Sequence, residues 1–365
     1  MRVMLLVTDF ERGGTPLRIA RLARRLSAAG WEVWAGCLAA PGPVSMELEA
    51  AGVRTFACGA EDARDVLALA RLSAHVRRVR PDLIHSTLVH ANVAARMVGL
   101  RRRVPVVAST ATIEVERRWH ILLERATAGI ERAHIVHSRA LAEHVVRAFG
   151  LPRRRVYVVP PSLDPWPHTL ERSAARAALK LPDTTFVVAW AGRFDVVKRL
   201  EVVVRCAELL SDAPTRFLLL GDGPERARIE GLLRSGRGAG VVELLGWQTD
   251  VGAILSAADA FLFPSRTEGL PNALLEAMAC GLPIVASDIP AARELSGAGD
   301  CIRLVAGDKP AAFAAALRQL RDNANERQAL GQRAAQWARD HLDPQATLAA
   351  VVRVYEEVLR RRPQA

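Results

Sequence analysis

Short apolar runs alternate with amphipathic stretches along almost the whole chain. In the first half the strand candidates are RVMLLVT, WEVWAGCL, VRTFAC, DLIHST, VPVVAST, HIVHS and VYVVP. Their apolar character is continuous rather than alternating, which marks strands covered on both faces, as in parallel sheets. Between them lie helical patterns such as PLRIARLARRLSAAG, with Gly30 placed to end the helix. The stretch VVPPSLDPWPH (158–168) then packs four prolines together, the mark of a stiff linker. The alternation restarts with TFVVAWAG, RFLLLGDG, VVELLGW, AFLFPS, PIVASD and CIRLVA, and the tail PQATLAAVVRVYEEVLRR reads as one amphipathic helix.

This pattern predicts an α/β protein with two doubly wound parallel-sheet domains, over residues 1–160 and 168–340. A length of 365 residues agrees, because one core rarely grows past about 250–300 residues. Each domain is expected to bind near the carboxyl ends of its strands, which implies a cleft between them. The opening run MRVMLLVTDFERGG stops at Thr8 and Asp9, too short for a secretory leader, and reads as a first buried strand. No other apolar stretch approaches the roughly 20 residues that span a bilayer, so a soluble or at most peripheral protein is expected.

Charge changes the picture, because it is lopsided. Residues 1–160 hold 25 Lys and Arg against 14 Asp and Glu, while the rest holds 25 of each, so the whole +11 lies in the first half. The arginines cluster in ARLARRL, HVRRVRP, LRRRVP, VERRW and LPRRRV. Such a face suits an anionic partner, or is simply solvated in a chain that prefers Arg to Lys. The clusters lack interleaved aromatics, which argues against nucleic acid. Five cysteines with no C-x-x-C pair point away from a zinc site or a disulfide framework and toward a reducing compartment.

The densest chemistry lies in RTEGLPNALLEAMACGLP (266–283), an apolar run that keeps two carboxylates, Glu268 and Glu276. AFLFPS is a buried strand and SRTEGL the loop leaving it, with Pro271 expected as the first helical residue and Gly281 closing the helix. Peptide N–H groups near Gly269, Leu270, Pro271 and Asn272 then form a helix start suited to an anion. A carboxylate accepts paired hydrogen bonds from vicinal hydroxyls, so one glutamate can hold a ribose and the other a hexose. The alternative is a structural acid at Glu276 and a loop charge at Glu268. AWAGRFDVVKR (189–199) likewise runs from a strand into a loop, and its Arg193 and Lys198 suit a diphosphate. In a transferase they would stabilise the leaving nucleoside diphosphate as its charge develops.

These segments resemble the retaining glycosyltransferases of family 4, which have the GT-B fold of two Rossmann-like domains facing across a cleft. The resemblance rests on GRFDVVK, LLLGDGPER, VELLGWQTDV, ADAFLFPSRTEGLPNALLEAMACGLPIVASD and the E-x7-E pair Glu268/Glu276, with ERGG and DLIHSTLVHAN matching less specifically. It implies that Arg193 and Lys198 bind the donor diphosphate, Glu276 the nucleotide ribose and Glu268 the transferred sugar. It also implies that the 269–272 backbone touches the sugar or distal phosphate and that Gly13 and Gly14 close over the phosphates. The final helix, about 345–365, would return to brace the first domain. No D-x-D motif occurs, so no metal and no cofactor is expected. Family members often carry a histidine just after the fifth strand; VVASTATIEVERRWH has none before His120, and the linker reads PPSLD where Asn-Gly-Val-Asp is usual.

His85, His90 and Asn92 are acceptor-side candidates, since they follow or flank the DLI strand; the alternative is a structural role. His134 and His137 are expected to lie in a strand and look structural, and Trp119 with Arg117 and Arg118 could form an acceptor or membrane face. The expected activity is transfer, with retention, of a hexose or hexosamine from a nucleotide diphosphate sugar. The expected acceptor is a lipid-linked or anionic glycan of cell-surface polysaccharide synthesis. The expected place is the cytoplasm, with possible peripheral contact at the inner membrane face through the basic first domain. Two alternatives stay open: a GT-B nucleotide-sugar epimerase, and an inactive sugar-nucleotide-binding protein.

Overall fold

Among the described residues thirteen parallel strands form two separate sheets. The computed structural model describes residues 1–365 except 63–64, 114–117, 165, 237, 298–299 and 362–365. The chain divides into two compact units, Met1–Pro161 with Pro344–Ala365, and Ser162–Asp343.

In the first unit the strands are β1 (Arg2–Val7), β2 (Glu32–Cys37), β3 (Arg54–Ala57), β4 (Leu83–Thr87), β5 (Val106–Ser109), β6 (Ala133–Val136) and β7 (Val156–Val158). Their spatial order is β3-β2-β1-β4-β5-β6-β7. The second unit has β8 (Phe186–Ala191), β9 (Thr215–Leu220), β10 (Val242–Gly246), β11 (Ala260–Phe263), β12 (Ile284–Ser287) and β13 (Arg303–Val305). Their order is β10-β9-β8-β11-β12-β13. Every one of the thirteen apolar runs read from the sequence overlaps one of these strands.

The reason is burial on both faces. Along β1, Val3, Leu5 and Val7 enter one core cluster while Met4 and Leu6 enter another. Along β8, Val187, Ala189 and Ala191 face one cluster while Phe186, Val188 and Trp190 face its opposite. Both sides of each sheet therefore demand apolar residues, which erases the polar alternation of a half-exposed strand.

The last helix, Pro344–Arg360, belongs to the first unit: Val351, Val354, Tyr355 and Val358 join the cluster that holds Val3, Leu5 and Val7. Among the described residues no helix is long and apolar enough to cross a membrane.

Each sheet contains one place where the winding reverses. The chain moves outward from β8 to β9 and β10, then returns to lay β11 against the other side of β8. The first unit does the same between β1 and β4. Loops leaving the two central strands diverge there and open a crevice at the carboxyl edge of an α/β sheet.

Candidate functional site

Arg193 and Lys198 leave β8, and Glu268 leaves β11, so the two conspicuous segments of the second unit meet at its reversal point. The β8 exit is held as an extension of the sheet. The Gly192 N–H donates to the Leu220 carbonyl at 2.9 Å, and the Phe194 N–H donates to the Asp222 carbonyl at 2.8 Å, which brackets Arg193 between two fixed peptides. This pairing requires glycine opposite it: a Cβ on Gly221, whose φ is +136°, would stand 1.8 Å from the Gly192 carbonyl oxygen. That explains why GDG follows LLL in β9.

Beyond Arg193, which is exposed, Asp195 caps a 3-10 turn, Val196–Lys198, by accepting from the Val197 N–H at 3.3 Å. The turn aims Lys198 back across the sheet. Its ammonium forms an ion pair with the Glu268 carboxylate and lies 6.0 Å from the centre of the Phe263 ring, on β11. The Lys198 and Glu268 side chains are 20% and 8% exposed, so the pair is largely withdrawn from solvent. A backbone hydrogen bond from the Arg266 N–H to the Val197 carbonyl at 2.8 Å ties the two loops together beside it.

Glu276 occupies the second turn of the helix Asn272–Ala279, half-buried. Pro271 is not the first helical residue: with φ −80° and ψ 111° it is the N-cap, one position outside, and no side chain caps this helix start. The helix ends at Cys280, with Gly281 beyond it in the left-handed region at φ +71°. Gly269, Leu270 and Pro271 are buried against the start of this helix. Sequence reasoning passed over Ser265, whose buried Oγ finds no hydrogen-bond partner among the described residues. It also passed over Arg199, which is buried and anchors the following helix through the Asp308 carboxylate at 2.7 Å. Neither has a local sequence signal, because each is defined by residues far along the chain.

In the first unit, Gly13 is the N-cap and Gly14 the first residue of the helix Gly14–Ala28, three residues earlier than Leu17. The φ of Gly13 is −173°, extended backbone that any residue adopts, and a Cβ there would meet only Pro16 Cδ at 3.7 Å. Among the described residues nothing in the packing calls for glycine at this position.

The acceptor-side candidates divide. His85 does not follow its strand but lies within β4, 3% exposed, with Nδ1 2.5 Å from the Tyr355 hydroxyl and Nε2 3.1 Å from Ser109 Oγ. Burial pushes its pKa down to about 3, so it stays neutral. Asn92 is fully buried, accepting from Ser86 Oγ at 2.8 Å and donating to Glu124 at 2.9 Å. Both are engaged inside the unit. His90 is half-buried on the helix Val89–Arg102, with its ring edge-on to Trp119 at 5.7 Å and His120 at 5.1 Å. His134 lies in β6, held by Glu131 at 2.7 Å and Thr110 at 2.9 Å. His137, by contrast, lies just past that strand, half-buried, with its pKa pushed down to about 3 by desolvation and then by Arg18. Arg117 lies outside the described residues.

Residues 12–166 match the family model described as glycosyltransferase family 4, and residues 185–323 match glycosyl transferases group 1. The chain belongs to the family 4 glycosyltransferases. Among curated relatives, a D-inositol 3-phosphate glycosyltransferase of Thermomonospora curvata is 30% identical over 252 residues, covering 64% of this chain and 58% of that protein. A lipopolysaccharide core biosynthesis glycosyltransferase, LpsD of Rhizobium meliloti, is 31% identical over 189 residues, covering 52% and 54%. The chain thus spans a little over half the length of these two relatives. The Anabaena protein HepE, solved with UDP, superposes with a TM-score of 0.86 at 18% identity, over 98% of this chain and all of that one. That similarity identifies the fold as GT-B. Within the family frame, the Lys198–Glu268 pair and the helix start at Asn272 fall at the ends of β8 and β11, and Gly13–Gly14 at the end of β1.

Proposed function

We propose that this protein is a retaining glycosyltransferase that moves a hexose or hexosamine from a nucleotide diphosphate sugar to an acceptor. The observation that carries the reading is the Lys198–Glu268 pair at the strand reversal of the second unit. A cation and a carboxylate held together beside an uncapped helix start can receive a ligand that is anionic at one end and rich in hydroxyls at the other.

In this reading Arg193 and Lys198 take the donor diphosphate and stabilise the charge that grows on it as the glycosidic bond breaks. Glu268 exchanges part of its contact with Lys198 for the hydroxyls of the transferred sugar. Glu276 accepts from the ribose hydroxyls, and the backbone at Gly269, Leu270, Pro271 and Asn272 borders the sugar or distal phosphate. Gly13 and Gly14 offer peptide N–H groups to the phosphates, where a side chain would stand in the way. No protein nucleophile is assigned: the acceptor hydroxyl attacks the face the diphosphate leaves, and the diphosphate receives its proton. The two cations perform the task a metal ion performs in metal-dependent transferases.

The acceptor proposed is a lipid-linked or anionic glycan intermediate of cell-surface polysaccharide synthesis, used in the cytoplasm. Two findings favour this class: the basic first half of the chain, and relatives named for an inositol phosphate acceptor and for lipopolysaccharide core synthesis. For the donor, HepE has been solved with UDP-glucose, which makes UDP-sugars the first to try. The test is a thermal-shift panel of UDP-, GDP-, ADP- and TDP-sugars, followed by product analysis with the stabilising donor. A bound donor raises the melting temperature by mass action. A new glycoside with the donor's anomeric configuration supports the reading; free nucleotide with an altered sugar would replace it with epimerisation.

A further inference from the structure

Thr110, the first residue after β5, has its hydroxyl fixed in one direction by groups behind it. Its Oγ1 lies 2.9 Å from His134 Nε2, and His134 Nδ1 lies 2.7 Å from Glu131 Oε1. β5 and β6 run side by side with Ala108 opposite His134. Thr110, two residues on, therefore shares a face with the imidazole and reaches its far nitrogen. Behind Glu131, Arg96 Nε donates to Oε2 at 2.7 Å, and Arg96 also pairs with Glu124 at 2.6 Å. The side chains of Arg96, Glu131 and His134 are all 0% exposed, and Phe149 stands edge-on to the imidazole at 5.9 Å. Thr110, at the outer end of this chain of groups, is half-exposed.

The chemistry gives the hydroxyl a polarity. A carboxylate only accepts, so in the neutral imidazole the proton sits on Nδ1 and Nε2 keeps a lone pair. Thr110 then donates inward to Nε2, and its oxygen lone pairs turn away from the core. A half-exposed threonine can satisfy itself with water and needs no such anchor. Nor does stability account for the anchor, because a buried ion pair adds little over apolar side chains of the same size. Hydroxyl, imidazole and carboxylate in line form the arrangement that sets which way a hydroxyl points. An outward lone pair selects a ligand O–H or N–H and disfavours a phosphate or carboxylate oxygen.

We propose that Thr110 is a ligand-binding residue of the first unit, accepting a hydrogen bond from a hydroxyl of the acceptor. His134 and Glu131 are the positioning residues that turn its oxygen outward. The groups assigned to the donor's hydroxyls, Glu268 and Glu276, belong to the second unit, which leaves the acceptor as the hydroxyl-rich ligand here. That identity rests on the sugar-transfer reading; the direction of the hydroxyl does not.

The test is a long-range proton–nitrogen correlation spectrum of the full chain with isotopically labelled histidine, titrated with glucose, glucosamine and sorbitol. His134→Gln assigns the His134 signals. His134 is expected to carry its proton on Nδ1. Its Nε2 resonance should move with at least one of the three compounds in the wild type and in Thr110→Ser, and not in Thr110→Val. With that compound as acceptor and the stabilising nucleotide sugar as donor, Thr110→Val should raise the acceptor KM about tenfold, with a smaller change in donor KM. Thr110→Ser should recover most of the loss, and a thermal melt checks that Thr110→Val is folded. A proton on Nε2, no response to any of the compounds, or an equal response in Thr110→Val would overturn the proposal. Without donor turnover the titration still decides the role of Thr110, whereas turnover with a silent titration removes Thr110 and leaves the transfer reading standing.

Discussion

Lys198 and Glu268, 70 residues apart in the chain, are joined as an ion pair across the two strands that flank the reversal point of the second sheet. Each arrives on a different loop, and the Arg266–Val197 backbone bond fastens those loops beside the pair. The arrangement keeps a carboxylate buried without leaving it uncompensated.

Replacing Lys198 should therefore affect turnover most. Lys198→Ala should lower kcat/KM about 10²–10³-fold, the range seen when one group that stabilises developing charge is removed. Glu268→Gln should lower kcat more than it raises donor KM, because a sugar hydroxyl loses its charged partner. Steady-state kinetics with the stabilising donor checks both.

Gly13 separates a fold role from a ligand role. Among the described residues a Cβ at Gly13 meets nothing closer than Pro16 Cδ at 3.7 Å, so Gly13→Ala should leave the melting temperature unchanged. If phosphates approach this backbone, donor affinity should still fall about tenfold, or about 1.4 kcal/mol. Calorimetric titration alongside a thermal melt distinguishes the two effects.

How much of this was legible in the sequence follows from what each feature depends on. The strands were readable because both faces of each sheet are buried, which leaves local apolar runs such as LIHST and FVVAWA. Arg193, Lys198, Glu268 and Glu276 were placeable because strand-exit loops sit at fixed positions relative to those runs. The pairing of Lys198 with Glu268 was not, since nothing local tells which distant loop a side chain will meet. His85 looked available from its position after an apolar dipeptide, yet its partner Tyr355 lies 270 residues on. The chain of bonds from Thr110 to Arg96 was hidden for a related reason. It runs from the exit of β5 to His134 on β6, and from Glu131 to Arg96 on a helix.

That arginine supports a stability prediction. Arg96 contacts Glu124 and Glu131, all three side chains being 0–1% exposed. Arg96→Met should destabilise the first unit by about 3–5 kcal/mol, because two carboxylates are left buried without their cation. Adding Glu124→Gln and Glu131→Gln should recover part of that loss. Urea unfolding followed by circular dichroism measures both steps.

Two histidines of the first unit set an acid dependence. His85 and His137 have folded pKa values lowered from 6.5 to about 3, in both cases chiefly by burial. Between those limits the unfolded chain binds protons that the folded chain refuses, so stability rises with pH. The contribution is complete above pH 6.5 and is lost as pH falls toward 3. His85→Gln should give a less stable protein at pH 7, since the bonds to Tyr355 and Ser109 are altered, but a shallower decline in acid. Melting temperatures of both proteins across this range test the slope.

The most direct measurement is a crystal structure of the protein with the nucleotide sugar that stabilises it most. The account predicts diphosphate oxygens within hydrogen-bond reach of Lys198 Nζ and the Arg193 guanidinium, with a hexose hydroxyl on Glu268 and a ribose hydroxyl on Glu276. A diphosphate bound elsewhere, with the Lys198–Glu268 pair unchanged, would contradict it.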